Sequence, residues 1–369
     1  MNPFPMVDPI PLPAPVWLFK ALHLLTLSLH FTAMQMFLGG LLVAAVLSAC
    51  SGSSVLRKGA AAALAHRLPI LMTFVINLGV PPLLFAQVLY GPALYTSSQL
   101  IGVYWFSVIF MLMGCYWLLY KFAEGVDKGR NVWWMAAFAG VLALSISKIY
   151  SINMTLMLRP EVWQGMYAAS PLGALLPPHD PTLIPRWLFM LSGAGWVSGF
   201  WMIWIAGRRT TALALGSYLA GLGGSLALGA ILCQGALFSW VLKAQPTVVQ
   251  EGINMSVWLK GAQIAWCSGA ALVFIFALWV AVKKTCSYVA GYISMLLTVV
   301  TLSSWVILRD GIRDITLESK GFDVWQQAVV TNWGVVGWFV VILVLGLVAL
   351  GWLIYVMMQA KPVSEGGMS

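Results

Sequence analysis

The chain has 369 residues, of which 61% are apolar and only 8% are charged. Soluble domains carry about 25% charged residues, so this composition excludes a soluble globular protein and predicts an integral membrane protein. The formal net charge of +9 does not indicate nucleic-acid binding. The basic excess lies in short loops between apolar runs, where the positive-inside rule accounts for it.

Nine apolar runs are long enough to cross a bilayer, since a helical span needs about 20 residues. The predicted spans cover about residues 17–47, 68–90, 97–122, 132–158, 183–206, 211–241, 257–281, 287–308 and 332–358. No soluble domain is left over. We therefore predict that residues 1–369 form one all-helical, multi-pass membrane domain in contact with lipid.

Loops on alternating sides of these spans differ in charge. The basic set comprises Arg57, Lys58, Arg67, Lys121, Lys128, Arg130, Arg208, Arg209, Lys283, Lys284 and Lys361. On the other side, acids such as Asp8 offset the basic residues. Because loops rich in lysine and arginine stay in the cytoplasm, we expect the cytoplasmic (inner) membrane, with the N-terminus outside and the C-terminus inside.

The first span carries two histidines, His23 and His30. Seven residues are two helical turns, so both rings share one face with about 10.5 Å of rise between them. Neutral imidazole is a common metal ligand, and an ionisable residue at membrane depth indicates a functional site. Two rings on one face cannot sandwich a single haem. The pattern favours one axial ligand, His30, and one supporting or quinone-contacting residue, His23; alternatively, both only form hydrogen bonds between helices.

Other polar residues at membrane depth are Lys148, Asn77, Gln87 and Asn153. A lysine this deep must snorkel, pair or line a wet cavity, and buried amides usually join neighbouring helices. Pro81-Pro82 interrupts the hydrogen bonds of the second span, which predicts a kink beside a packed or wet site. In the predicted loop after the fourth span, His179 is either solvated, a metal ligand or a partner contact.

The cysteine pattern limits the type of haem that the chain could bind. No C-x-x-C-H motif occurs, which excludes covalent c-type haem on this chain. No glycine-rich phosphate loop, H-E-x-x-H or nucleophile elbow occurs either, so hydrolase chemistry has no support.

Four short motifs lie along the predicted spans. They are Leu29-His30-Phe31, Ile76-Asn77-Leu78-Gly79-Val80 with Gln87, Gly91 and Tyr95, Asn153 with Pro160, and Ser304-Trp305 with Asp310-Gly311-Ile312-Arg313. In these motifs the chain resembles subunit I of cytochrome bd-type quinol oxidases, a nine-helix protein with its N-terminus outside. The resemblance implies a bd-like helix bundle in which His30 is a haem ligand.

Several positions depart from that family. Phe189 stands near the family's second haem histidine, and Gly261 near its methionine ligand. The stretch Gln99 to Met113 contains no acid, whereas the family has paired glutamates there, and Arg309 replaces a glutamate ligand. The loop between spans six and seven, which binds quinol in the family, is short in this chain. A self-sufficient oxygen reductase is therefore not expected.

The resulting prediction is a membrane subunit of a respiratory electron-transfer complex. It would bind one b-type haem through His30 and pass electrons between a quinone and an extracytoplasmic c-type cytochrome, together with other membrane subunits. The predicted outer-loop residues are His179, Arg309, Asp310 and Arg313. One alternative is a haem-free structural subunit that anchors cytochrome partners; another is a transporter or channel lined by Lys148. Whether the chain is an oxidoreductase subunit stays open at this point.

Overall fold

A computed structural model describes residues 4–5 and 10–359. The described residues form helices and no β-strand, and nine helical stretches among them are long and apolar enough to cross a membrane. This confirms the prediction of an all-helical, multi-pass membrane protein. Asp8 and Lys361, which entered the predicted placement of the termini, lie outside the described residues, as do residues 1–3, 6–9 and 360–369 of the predicted domain.

The helices follow one another with short connections. In chain order they are α1 (Val16–Ala49), α2 (Val55–Ala65), α3 (Leu68–Leu100), α4 (Gly102–Asp127), α5 (Trp133–Leu156), α6 (Pro160–Ala169), α7 (Leu183–Ala206), α8 (Leu213–Lys243), α9 (Thr247–Met255), α10 (Val257–Lys283), α11 (Tyr288–Glu318) and α12 (Trp333–Gln359). The short helices α2, α6 and α9 lie between the long ones and do not add spans of their own.

The second predicted span ended too early. Helix α3 continues through the expected loop at 91–96 and has non-helical torsions only at Tyr90 (φ −130°, ψ 26°). Pro92 falls in the first turn of the continuing segment, where its missing N–H would have no helical partner in any case. Gly91-Pro92 therefore restarts a helix, although the pair resembles a loop in the sequence. The expected interruption lies at Tyr90 and not at Pro81-Pro82, which stay helical.

The eighth predicted span also ended too early, and this changes the location of three predicted site residues. Helix α11 runs ten residues further, to Glu318. The prediction that Arg309, Asp310 and Arg313 lie in an outer loop is wrong, because all three are helical. Leu308 and Ile312, on the same stretch, are buried in an apolar cluster with Leu259 of α10.

Helix α1 lies at the centre of the bundle and packs against α2, α3, α5, α7 and α11. Close approach of the backbones depends on glycine. A Cβ atom at Gly39 would lie 2.1 Å from the Ala194 carbonyl oxygen, and one at Gly199 would lie 2.4 Å from that of Gly223. Helices in lipid gain little from the hydrophobic effect, so small residues at their contacts allow the van der Waals packing that holds them together.

Gly199 gives a test of this packing between α7 and α8. We expect Gly199→Ala to lower the free energy of unfolding by about 1–3 kcal/mol, the usual cost of overpacking. The matched control is Gly229→Ala on α8, where a Cβ atom would meet nothing within 4 Å. Unfolding by dodecyl sulfate in mixed micelles measures both variants. Equal stability of the two would contradict the packing argument.

The two halves of the bundle differ in how densely they are packed. The largest buried apolar cluster surrounds the second half of α1 and includes Leu41, Leu64, Phe122, Phe200 and Val280. Near the first half of α1, which carries both histidines, the helices separate around a cavity. The candidate site lies in that half.

Candidate functional site

A cavity of about 440 Å³ lies between α1, α3, α5, α7 and α11. Most of its wall is apolar. Its charged or ionisable lining consists of His23, His30, Cys115, Tyr150, Arg186, Arg309 and Arg313. Mostly apolar pockets of about 300–1,000 Å³ with a few convergent polar groups are typical of ligand and cofactor sites. Four residues predicted from the sequence thus line one cavity together with Arg186. The four are His23, His30, Arg309 and Arg313.

His30 is oriented by a single backbone contact. Its Nδ1 lies 3.1 Å from the carbonyl oxygen of Val75. Because a carbonyl can only accept, Nδ1 carries the proton and Nε2 keeps a lone pair in the neutral ring. No hydrogen bond to that Nε2 occurs within the described ranges 4–5 and 10–359. Histidine ligands of metals are usually held in this way by their second nitrogen.

Gly79 makes room for that ring. A Cβ atom at position 79 would lie 2.9 Å from Cε1 of His30 and 3.1 Å from its Nδ1. Any larger residue would push the imidazole away from Val75. The Gly79 of the sequence motif therefore has a direct structural role beside the histidine.

His23 has both of its nitrogens engaged. Its Nδ1 donates to the carbonyl oxygen of Pro82 at 3.0 Å, and its Nε2 accepts from Nη2 of Arg313 at 3.1 Å. The ring is buried, with 2% of its surface exposed. A metal at Nε2 would have to displace Arg313, so His23 fits the supporting role better than that of a ligand.

Beside His23 lies a buried network of charges that joins α1, α3 and α11. The ammonium group of Lys20 lies 2.6 Å from Oδ2 of Asp310 and 2.6 Å from the hydroxyl of Tyr90, and it also contacts Asp314. Tyr90 donates to Oδ1 of Asp314 at 2.7 Å, and Arg313 pairs with Asp310. The positive charges of Lys20 and Arg313 balance the negative charges of Asp310 and Asp314, as buried charges require.

Lys20, Tyr90 and Asp314 were not among the site residues predicted from the sequence. One signal was present, because Lys20 precedes His23 by three residues and so lies on the same helix face. Asp310, Arg313 and Asp314 share an i, i+3, i+4 spacing that places them on one face of α11. Their charge caused the stretch to be predicted as a loop.

Two cavity arginines, Arg186 and Arg309, contact groups other than carboxylates. Nη2 of Arg186 donates to Oε1 of Gln245 at 2.7 Å, and the guanidinium of Arg309 lies 5.7 Å from the ring centre of Phe31. No carboxylate oxygen of the described chain lies within 4.0 Å of either group. The cavity therefore carries positive charge that the protein leaves uncancelled at close range.

Lys148 lies behind the cavity wall. Its ammonium group is buried without a hydrogen-bond partner among the described residues and lies 4.5 Å from the ring centre of Trp187. Ser147 and Ser151, its neighbours, do line the cavity. Lys148 packs against an aromatic face, where a cation–π contact stabilises it.

The remaining predicted residues lie away from the cavity. Asn153 is buried and donates to Oγ of Ser98 at 3.2 Å, which joins α5 to α3 as expected of a buried amide. For Asn77 that expectation is wrong, because its amide is exposed and donates to the Thr73 carbonyl of its own helix. Gln87 is half-buried and His179 is exposed in the loop after α6.

Packed aromatic rings surround Phe189, at the position that the resemblance equates with a second haem histidine. Phe189 is buried, 4.2 Å from Trp305 and 5.5 Å from Trp266 between ring centres. Phe238 stacks on Trp266 at 3.9 Å. This side of the bundle is filled by side chains and offers no histidine.

Metal sites built from several side chains were also sought. The described residues contain no group of three or more histidine, cysteine, aspartate or glutamate side chains that could hold an ion. A haem iron needs only one or two protein ligands, because the porphyrin supplies the other four. The single free nitrogen of His30 fits that kind of cofactor.

Comparisons with known proteins leave the family of the chain open. No protein-family model matches the sequence, and no curated protein matches it either. The resemblance to subunit I of the bd-type oxidases stays an expectation, and it rests on short motifs such as Leu29-His30-Phe31.

Proposed function

We propose that the chain is a membrane subunit of a respiratory electron-transfer complex and binds one b-type haem in the cavity beside α1. The proposal rests on the way in which the ring of His30 is held. Its ring is held at Nδ1 by Val75, lies beside Gly79 and has a free Nε2 in a mostly apolar cavity. Bound haem would supply reversible one-electron transfer at its iron.

Two observations support a single haem. The nitrogens of His23 are occupied by Pro82 and Arg313, so His23 supports the site instead of binding a second iron. The aromatic cluster around Phe189 fills the position of the family's other haem histidine. His30 would then be the residue of this chain that holds the haem iron.

The place of the site in the bundle favours electron exchange with the outside. From the loop charges we expect the start of α1 to face the outer side of the cytoplasmic membrane. Lys20, His23 and His30 lie in the half of α1 that starts there. The electron partner on that side would be a c-type cytochrome on a separate chain, and the partner in the membrane would be a quinone. Because Gln99 to Met113 contains no acid, reduction of oxygen by this chain alone is not part of the proposal.

Haem content tests this function. The full chain is purified in detergent from membranes of cells supplied with haem, and its haem is quantified as the pyridine haemochrome. We expect about one haem b per chain and a reduced-minus-oxidised difference spectrum. A folded, haem-supplied protein without visible absorbance would overturn the proposal.

The second candidate is a haem-free structural subunit that anchors cytochrome partners. It is favoured by the packed cluster of Phe189, Phe238, Trp266 and Trp305, which removes one haem position of the family. This candidate predicts a colourless chain that still co-purifies with cytochrome subunits. It also predicts that His30→Ala leaves assembly unchanged.

A further inference from the structure

We infer that Arg186 and Arg309 form an anion-binding subsite in the cavity, which takes the acidic groups of an amphiphile whose apolar body fills the rest. Two sources offer this chemistry: the propionate carboxylates of the haem, which rests on the proposed function, and the phosphate of an anionic lipid. Guanidinium groups bind both carboxylate and phosphate through paired hydrogen bonds.

The acids nearest to the two arginines are already bound by other groups. Asp310, next to Arg309 in the chain, is bound by Lys20 and Arg313. Asp180, near the start of α7, lies 3.5 Å from Nε of Arg159 and accepts from Thr182. Neither acid is within 4.0 Å of Arg186 or Arg309.

The three cavity arginines differ in the groups that they contact. Arg313 has its own carboxylate, that of Asp310, and belongs to the neutral network. Among the described residues, Arg186 donates to the amide oxygen of Gln245, and Arg309 lies against the aromatic ring of Phe31. Unpaired charges at membrane depth are costly and usually mark ligand or ion sites. An anion from the ligand would remove that cost.

The two arginines and His30 line the same cavity. Arg309 lies against Phe31, the residue after His30, and the rings of Phe31 and His30 are 6.0 Å apart. Arg186 enters the cavity from α7, on another wall. One amphiphile can therefore meet the histidine and the arginines together.

The test compares haem b with its dimethyl ester, in which both carboxylates are blocked. Each is titrated by absorbance into the haem-depleted full chain. We expect the wild type to bind haem b about 100-fold more tightly than the ester, about tenfold for each charge-assisted hydrogen-bonded group. In Arg186→Gln/Arg309→Gln this preference should disappear. Arg57→Gln, whose guanidinium is exposed and donates to the Cys50 carbonyl away from the cavity, is the control and should keep the preference.

The outcomes separate this inference from the proposed function. Equal binding of haem b and its ester by the wild type, a result that needs no variant, overturns the haem source while the haem proposal stands. Failure to bind either compound overturns the haem proposal. The lipid source is then tested by native mass spectrometry after incubation in vesicles of phosphatidylglycerol and phosphatidylcholine. Selective retention of phosphatidylglycerol by the wild type, lost in the double variant, supports the subsite. No selectivity in either assay overturns it.

Discussion

Replacing His30 by glycine is expected to abolish haem binding and to leave a folded, colourless chain. The imidazole of His30 contributes the free Nε2 of the cavity, whereas its hydrogen bond to the described part of the chain is that from Nδ1 to Val75. Residues that merely support a metal ligand change affinity by about 10–100-fold, so loss of the ligand itself should exceed that range. Haem per chain and the Soret band measure the effect.

Rescue by a small molecule makes this prediction sharper. His30→Gly leaves a gap beside Gly79 and removes the hydrogen bond from the imidazole to the Val75 carbonyl. Free imidazole can fill this gap and form the same hydrogen bond through its own N–H. Millimolar imidazole is therefore expected to restore haem binding and the spectrum. His179→Ala, at an exposed loop position, is the control and should keep its haem. A His30→Gly chain with an unchanged haem spectrum would show that another residue binds the iron.

Replacing Lys20 by methionine is expected to destabilise the fold by about 3–5 kcal/mol, the usual cost of removing one partner from a buried ion pair. Lys20 is only 4% exposed and binds Asp310, Asp314 and Tyr90. Without it, two carboxylates face one remaining cation, Arg313. Unfolding by dodecyl sulfate in mixed micelles measures the loss.

Charge balance provides an internal control for this second prediction. Lys20→Met/Asp314→Asn restores neutrality and should recover part of the lost stability. Lys320→Met removes a surface pair with Glu161, whose side chains are 39% and 50% exposed, and should cost about 0–1 kcal/mol. Similar losses for Lys20→Met and Lys320→Met, or no recovery in the double variant, would contradict a tightly balanced network.

The two experiments separate function from fold. His30 lines the cavity and has one hydrogen bond to the described residues, whereas Lys20 joins three helices through its contacts. We therefore expect His30→Gly to lose haem with little loss of stability, and Lys20→Met to lose stability first. The histidine acts on the ligand, and the lysine holds together the helices around it.

The nine spans were predictable because hydropathy is a property of each segment alone. A stretch of about 20 apolar residues must avoid water wherever it lies in the chain, and the fifth span agreed residue for residue with α7 (Leu183–Ala206). The shared face of His23 and His30 followed in the same way from the period of an α-helix. These features depend on neighbours in the sequence.

The end of α11 and the membership of the site depended on partners far away in the chain. Asp310 and Arg313 appeared to be loop residues until Lys20, 290 residues from Asp310, was placed beside them. Which histidine keeps a free nitrogen was likewise decided across helices. Arg313 occupies Nε2 of His23, whereas Val75 binds Nδ1 of His30 and leaves Nε2 of that ring without a partner among the described residues. A buried charge is tolerated only when its partner is present. Only the tertiary structure brings the two together, so no local pattern could reveal it.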